Sequence, residues 1–194
     1  MPQLKHTLAA RLEQIGNGFL EAARSGYPEQ IEAAAAAIAQ AFATGGKLLA
    51  FGNGGSAADA EHFCAELVVR FQDTRRALPA VALVSNASIL TACANDFSYE
   101  AVFARQIEAL GAAGDVAFAI STSGHSPNVI RGLEAARRRG LCTILLTGPQ
   151  PGGAREHCDV LLCAPGADTA RIQELHVATY HLICESLDQR FATP

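Results

Sequence analysis

His62 and Glu66 stand four residues apart, and Gln173 and His181 stand eight apart. On a helix those spacings are one turn and two turns, so each pair lies on roughly one face. The first pair belongs to Gly52-Asn53-Gly54-Gly55-Ser56-Ala57-Ala58-Asp59-Ala60-Glu61-His62-Phe63-Cys64-Ala65-Glu66. The second belongs to Arg171-Ile172-Gln173-Glu174-Leu175-His176-Val177-Ala178-Thr179-Tyr180-His181. Two helices meeting at those faces bring two imidazoles, a carboxylate and an amide to one point. Such a set binds a divalent metal, performs acid–base chemistry, or does both. The competing reading of His62 and Glu66 is a buried core pair. Their place just after a glycine-rich loop, and the matching pair at 173 and 181, favour function.

Three shorter segments carry further polar groups. In Gly52-Asn53-Gly54-Gly55-Ser56 the glycines let backbone approach a ligand closely, and Ser56 can cap the helix that follows. The segment lacks the lysine of a Walker loop and the spacing of a dinucleotide fingerprint, and a tight strand-to-helix turn needs glycines in any case. Ser121-Thr122-Ser123-Gly124-His125-Ser126 precedes Pro127 at a helix start. Its four hydroxyls exceed what one cap requires, and with the free N–H groups of the helix they suit a phosphate monoester. Ala94-Asn95-Asp96-Phe97, taken alone, reads as a turn between two helices.

The elements that must position these groups follow from periodicity. Residues 3–23 and 28–44 read as two Ala-rich helices, broken at Ser25-Gly26-Tyr27-Pro28 and ended by Gly45-Gly46. Short apolar strands at 47–51, 80–84, 116–120, 143–146 and 160–163 then alternate with helices at 57–71, 86–94, 99–111, 127–139 and 169–190. That alternation predicts parallel βαβ units with right-handed crossovers. The fold class expected is α/β: a three-layer αβα sandwich with a five-stranded parallel sheet, flavodoxin-like, plus an N-terminal helical pair. Ligands of such folds bind beyond the C-terminal ends of the strands, where the polar loops fall.

The chain has 194 residues, 49% of them apolar, which suits one domain spanning 1–194. With a net charge of −4 and scattered basic residues, it carries no nucleic-acid footprint. The Arg137-Arg138-Arg139 run falls at an expected helix end, where positive charge suits the helix dipole. No segment is long enough to span a membrane, and the first residues lack the apolar core of a signal peptide, so a cytoplasmic protein is expected. Cys64, Cys93, Cys142, Cys158, Cys163 and Cys184 form no C-x-x-C pair and read as small hydrophobes in a reducing compartment. The remaining histidines, His6, His157 and His176, read as ordinary structural residues, with His176 close to the face of Gln173.

Four patterns acquire a further meaning together. They are G-N-G-G-S-x-x-D-A-x-H-F-x-x-E-L from Gly52, A-N-D-F from Ala94, G-D-V-x-x-x-I-S-T-S-G-x-S-x-N-V from Gly114, and R-I-Q-E-x-H-x-x-x-x-H from Arg171. Over nearly the whole chain they resemble the phosphoheptose isomerases of the sugar isomerase (SIS) family. The hydroxyl loop is shared by many sugar-phosphate binders; the His62, Glu66, Gln173 and His181 set is more specific. The resemblance implies that Ser121, Thr122, Ser123 and Ser126 hold phosphate. It implies that Asn53, Gly54, Gly55, Asn95, Asp96 and Gln173 line the sugar site. It implies that His62, Glu66, Gln173 and His181 bind one zinc per subunit, with Glu66 and His181 as the acid–base pair. His125 departs from the pattern, since many relatives have Asn there.

The reaction so implied converts sedoheptulose 7-phosphate to D-glycero-D-manno-heptose 7-phosphate through an enediol, the first step of ADP- or GDP-heptose biosynthesis. A base removes the C1 proton while the carbonyl oxygen is polarised, and the proton returns at C2. The resemblance also implies a homotetramer, with the helical pair of residues 1–45 used in assembly. Two other SIS-fold readings stand beside it. One is a non-catalytic protein that associates with a replication initiator; its known examples lack the glutamate and the second histidine. The other is a sugar-phosphate-sensing module, normally fused to a further domain.

Overall fold

The computed structural model describes residues 2–192. Residues 1, 193 and 194, part of the expected domain, lie outside the described residues. The N-terminal pair is α1 (Pro2–Arg24) and α2 (Tyr27–Ala43), with Pro28 in the first turn of α2. Thereafter come β1 (Leu48–Gly52), α3 (Gly55–Val68), β2 (Ala80–Ala82), α4 (Ala87–Asp96), α5 (Val102–Leu110) and β3 (Val116–Ser121). The chain ends with α6 (Pro127–Arg138), β4 (Cys142–Thr147), β5 (Val160–Cys163) and α7 (Thr169–Phe191). Short 3-10 turns occupy Tyr99–Ala101 and Gly152–His157.

All strand pairs are parallel, in the order β2-β1-β3-β4-β5. The alternation of side chains makes two cores. Leu48, Ala50, Val116, Phe118 and Ile120 face a layer of α2, α3 and α7, where Ile38, Phe63, Leu67 and Ile183 are fully buried. Leu49, Phe51, Ala117, Ala119 and Leu145 face the opposite layer, against Phe103, Ile107, Val129 and Leu133 of α5 and α6. Every residue of β1 and β3 is buried, as a strand covered on both faces must be. The expected doubly wound αβα sandwich is therefore present, and the winding direction reverses between β1 and β3. In such folds ligands bind at that switch point, beyond the strands' C-terminal ends, where the Asn53 and Ser121 loops follow β1 and β3.

Several boundaries differ from the sequence reading. The edge strand β2 stops at Ala82, where the chain turns at residues 83–84 toward α4. Helix α3 begins at Gly55 with Gly54 as its N-cap, so Ser56 is a buried residue of the first turn and caps nothing. Asn95 and Asp96 form the last residues of α4 and are not a free turn. Arg137 and Arg138 do lie in the last turn of α6. Among the described residues, no helix is long and apolar enough to cross a membrane.

Two ion pairs fix the layers. At the N-terminal edge of the sheet, Asp115 accepts from Lys47 Nζ and from the Lys47 and Ala112 N–H groups. These bonds hold its carboxyl below the usual carboxylate range, against the opposing effect of burial. Near the C-terminal end of α3, Arg75 donates to the carbonyls of Glu66 (2.8 Å) and Leu67 (2.9 Å), and to Asp188 Oδ1 of α7 (2.6 Å). Asp188 Oδ2 accepts from the Gln72 and Asp73 N–H groups. Both side chains are almost wholly buried, at 0% and 2% exposure.

Breaking this buried pair leaves an uncompensated guanidinium, so Asp188→Ala should lower stability by about 3–5 kcal/mol in urea melts. The pH dependence has a definite sign. The native carboxyl of Asp188 is held below its ordinary value by these donors, with burial opposing them. Its contribution is thus present above the unfolded carboxylate pKa of ~3.9 and is lost as pH falls through the lower native value. Urea melts between pH 3 and pH 7 should show a steeper acid loss in the wild type than in Asp188→Ala.

Candidate active site

Helices α3 and α7 pack side by side on one face of the sheet, and each presents its polar pair toward the other. The regular helix of α3 places His62 Nε2 3.0 Å from Glu66 Oε1. Across the helix–helix seam, the His62 and His181 rings meet edge to face with centroids 5.1 Å apart. His181 is stacked on Phe71 at 5.1 Å and abuts the Tyr180 ring at 4.9 Å. Gln173 lies at the other end of the seam, against Gly55: a Cβ on that glycine would stand 2.1 Å from Gln173 Nε2. All four residues singled out from spacing are thus placed along one seam.

The electrostatics suit proton transfer. Burial, then the His62 charge, lowers the His181 pKa below the ordinary imidazole value, with Glu66 and Glu185 opposing. The ring is therefore neutral near pH 7 and free to take a proton. Its Nε2 is buried without a hydrogen-bond partner. His62 keeps 46% of its side-chain surface exposed and Glu66 22%, so a small ligand can reach them. Asp59, one turn before His62, was not singled out from sequence as a site residue. Burial raises its pKa to about 6, with His62 opposing, and its Oδ2 is buried without a partner. His176 is fully buried and kept neutral, its pKa pushed down to about 4 by burial.

Can this seam hold a metal? Among the described residues, no three His, Cys, Asp or Glu side chains form a compact cation cluster. The set comprises two imidazoles, one carboxylate and the Gln173 amide, a nitrogen-and-oxygen donor group compatible with zinc. The unpartnered His181 Nε2 and the His62–Glu66 contact fit such a group.

The two switch-point loops are joined by side chains. Asn53 and Asn128 form a reciprocal amide pair, at 2.8 and 2.9 Å, and the Tyr99 hydroxyl donates to Asn53 Oδ1 at 3.0 Å. Asn53 is left with one amide N–H to face a ligand. Asn128 and Tyr99 were missed in the sequence; the N-V after Ser126 and the aromatic after A-N-D-F were the available signals. Asn95 and Asp96 are exposed and bonded to each other at 2.8 Å, so it is Tyr99 that links their segment to the Asn53 loop.

In the hydroxyl loop, Ser121 Oγ accepts from Gly124 N–H and Ser123 Oγ from His125 N–H. Accepting leaves each hydroxyl proton free to be donated. Ser126 occupies the N-cap of α6 but makes no side-chain cap bond, and Thr122 is half-buried beside it. Ser126 stands at the start of α6, whose first-turn N–H groups lack helical partners. The loop is locked from behind: Gly124 has φ +64°, and a Cβ there would meet Pro151 O at 1.9 Å. His125 is exposed and neighbours Gly152 of the opposing loop.

This switch-point arrangement, on this sheet order, defines a member of the SIS-domain family. Residues 14–148 match the family model of the SIS domain, and the chain belongs to that family. Within it, the chain falls among the phosphoheptose isomerases. It is 49% identical over 177 residues to the phosphoheptose isomerase of Geobacter sulfurreducens, covering 91% of this chain and 94% of that one. The structure of phosphoheptose isomerase GmhA from Neisseria gonorrhoeae superposes with TM-score 0.89 at 42% identity, covering 96% of this chain and 99% of the other. A phosphoheptose isomerase from Francisella tularensis gives TM-score 0.92 at 33% identity, covering 97% and 100%.

The two glycines make opposite predictions. In Gly55→Ala the new methyl meets only the end of a flexible side chain, so stability should stay within about 1 kcal/mol of the wild type while the Gln173 amide swings away. In Gly124→Ala the methyl meets backbone at a positive φ, and stability should fall by at least about 1–3 kcal/mol. Urea melts of both variants, with a crystal structure of the first, check this; a fully stable Gly124→Ala would show that the two loops are not interlocked.

Proposed function

We propose that the protein isomerises sedoheptulose 7-phosphate to D-glycero-D-manno-heptose 7-phosphate, supplying heptose biosynthesis. The observation that carries this reading is the Glu66 carboxylate, held by His62 and opposed by the neutral His181 on a second helix. An aldose–ketose isomerisation needs a base for the carbon-bound proton and a neutral group that shuttles protons between the two oxygens. Glu66 takes the C1 proton and returns it at C2. His181, with its pKa lowered, exchanges protons with the O1 and O2 oxygens. The phosphate lies on Ser121, Thr122, Ser123, Ser126 and the first turn of α6, which fixes the far end of the substrate. The sugar chain between runs past Asn53, Gly54, Gly55 and Gln173, with Asn95 and Asp96 on the outer side.

His62, Glu66, Gln173 and His181 would hold one zinc per subunit, which when bound polarises the substrate carbonyl as a Lewis acid. The presence of both Glu66 and His181 favours the enzyme over a non-catalytic assembly protein of the same fold. A cytoplasmic location agrees with six cysteines that all carry free thiols.

We further read the protein as a homotetramer assembled through its N-terminal helices. Leu8, Leu12, Ile15, Phe19 and Ala22 follow one another on α1 at alternating steps of four and three residues. That is a heptad seam, and Leu8, Leu12 and Phe19 are 57%, 69% and 38% exposed in the single chain. Light scattering should give a mass near four times 20.3 kDa. Leu12→Glu should reduce the mass, and a monomeric wild type at micromolar concentration would refute the assembly.

The function itself is tested by Glu66→Gln, which keeps the shape and removes the base. Turnover of sedoheptulose 7-phosphate should fall by at least about 10²–10⁴-fold, with the circular dichroism spectrum and thermal midpoint retained. Near-normal turnover by this variant would show that another group abstracts the proton.

A further inference from the structure

Tyr180 precedes His181 on α7, yet its side chain serves the other helix. It is fully buried, stacked against Phe63 at 5.7 Å, and its ring meets the rings of both His62 and His181 edge to face. Its hydroxyl lies 2.9 Å from His62 Nδ1. The other nitrogen of the same ring, Nε2, is 3.0 Å from Glu66 Oε1. A carboxylate accepts hydrogen bonds and donates none, so Nε2 carries the proton in that contact. In a neutral imidazole Nδ1 is then a bare acceptor, and the tyrosine hydroxyl must be its donor. With the ring neutral, the bonds run in one direction, from Tyr180 O–H to His62 Nδ1 and from His62 Nε2–H to Glu66.

We infer that the Tyr180 hydroxyl is a positioning group for His62: it fixes which ring nitrogen faces Glu66 and the His181 seam. A hydroxyl is suited to this because it serves either protonation pattern. When a cation takes Nε2, a neutral ring must carry its proton on Nδ1, and the tyrosine oxygen can turn from donor to acceptor. Phenylalanine fills the same space and does neither. The burial of the ring between Phe63 and the two histidines leaves the hydroxyl no other orientation of the side chain to adopt. The inference rests on the reading of His62 as part of the proposed isomerase site, and it adds a residue to which that reading gives no role.

The test compares wild type with Tyr180→Phe, each labelled with ¹⁵N-histidine. In metal-free wild type, His62 should appear as a single tautomer protonated at Nε2, with the Nδ1 shift of a hydrogen-bonded acceptor. In Tyr180→Phe that Nδ1 shift should move toward a free imine. Chelator competition should show zinc bound about 10–100-fold more weakly by the variant. In the assay kcat should fall while KM for the sugar phosphate stays within about twofold, since the phosphate loop is untouched. An Nδ1-protonated or mixed-tautomer His62 in metal-free wild type overturns the inference without need of any variant. So does an unchanged Nδ1 shift in Tyr180→Phe. A wild type that turns over substrate but takes up no zinc refutes the zinc assignment instead, and the two shifts still decide the role of Tyr180.

Discussion

The geometry of the site depends on one buried guanidinium. His62 and Glu66 are ordered along α3 by the helix itself, and Gln173 and His181 along α7 in the same way. Neither helix dictates the distance between them. Apolar packing brings α3 and α7 together but is non-directional. Arg75 supplies the direction, because its planar fork bonds the α3 carbonyls of Glu66 and Leu67 and the α7 carboxylate of Asp188 at once. One of those carbonyls belongs to the proposed catalytic glutamate. A shift of α7 along α3 therefore strains charge-assisted bonds to the backbone of the residue whose placement matters most. Such sites tolerate displacements of only about 0.5 Å.

The second ion pair lies away from the hydroxyl loop. Lys47, the one lysine beyond the N-terminal helical pair, stands at the N-terminal edge of β1, at the opposite end of the sheet from the switch point. There it ties β1 to the start of β3 through Asp115. In the proposed reaction, positive potential for the phosphate comes from hydroxyl dipoles and the N-terminus of α6. The hydroxyl loop is built for this, with Ser121 and Ser123 held by backbone donors and still able to donate. The reciprocal amide pair of Asn53 and Asn128 ties the glycine loop to the start of α6.

What the sequence disclosed, and what it withheld, follows from the range of each interaction. Helical spacing along α3 and α7 depends only on local geometry, so the His62, Glu66, Gln173 and His181 alignment was legible. The parallel sheet was legible because strands buried on both faces read as apolar runs between helices. The extent of β2 was not, since Leu83 and Val84 are apolar like strand residues yet form the turn toward α4. Ser56 looked like a cap because its residue type favours that role, yet Gly54 took the position and Ser56 was drawn into the first turn. The roles of Tyr180, Asn128 and Tyr99 were not legible for a different reason. Each acts across a seam between elements distant in sequence, and no periodicity in one segment encodes a partner in another. Tyr180 in particular sat beside a recognised histidine but serves the histidine of the opposite helix.

The same cross-helix arrangement bears on how one glutamate could serve as both ligand and base in the proposed reaction. Glu66 Oε1 is engaged by His62, whereas Oε2 has no hydrogen-bond partner among the described residues. The two oxygens of a carboxylate are chemically equivalent until the protein distinguishes them. Here His62 distinguishes them, and His62 is itself held through its far nitrogen by Tyr180. One oxygen is thereby tied to His62, and in the proposed reaction the other is left for a proton. In the proposed reaction this division allows the carboxylate to keep its place through the whole cycle. The proton can come and go on Oε2 while Oε1 maintains the contact that orients the group. Orientation of the base thus originates two residues away from it, in a buried hydroxyl on the facing helix.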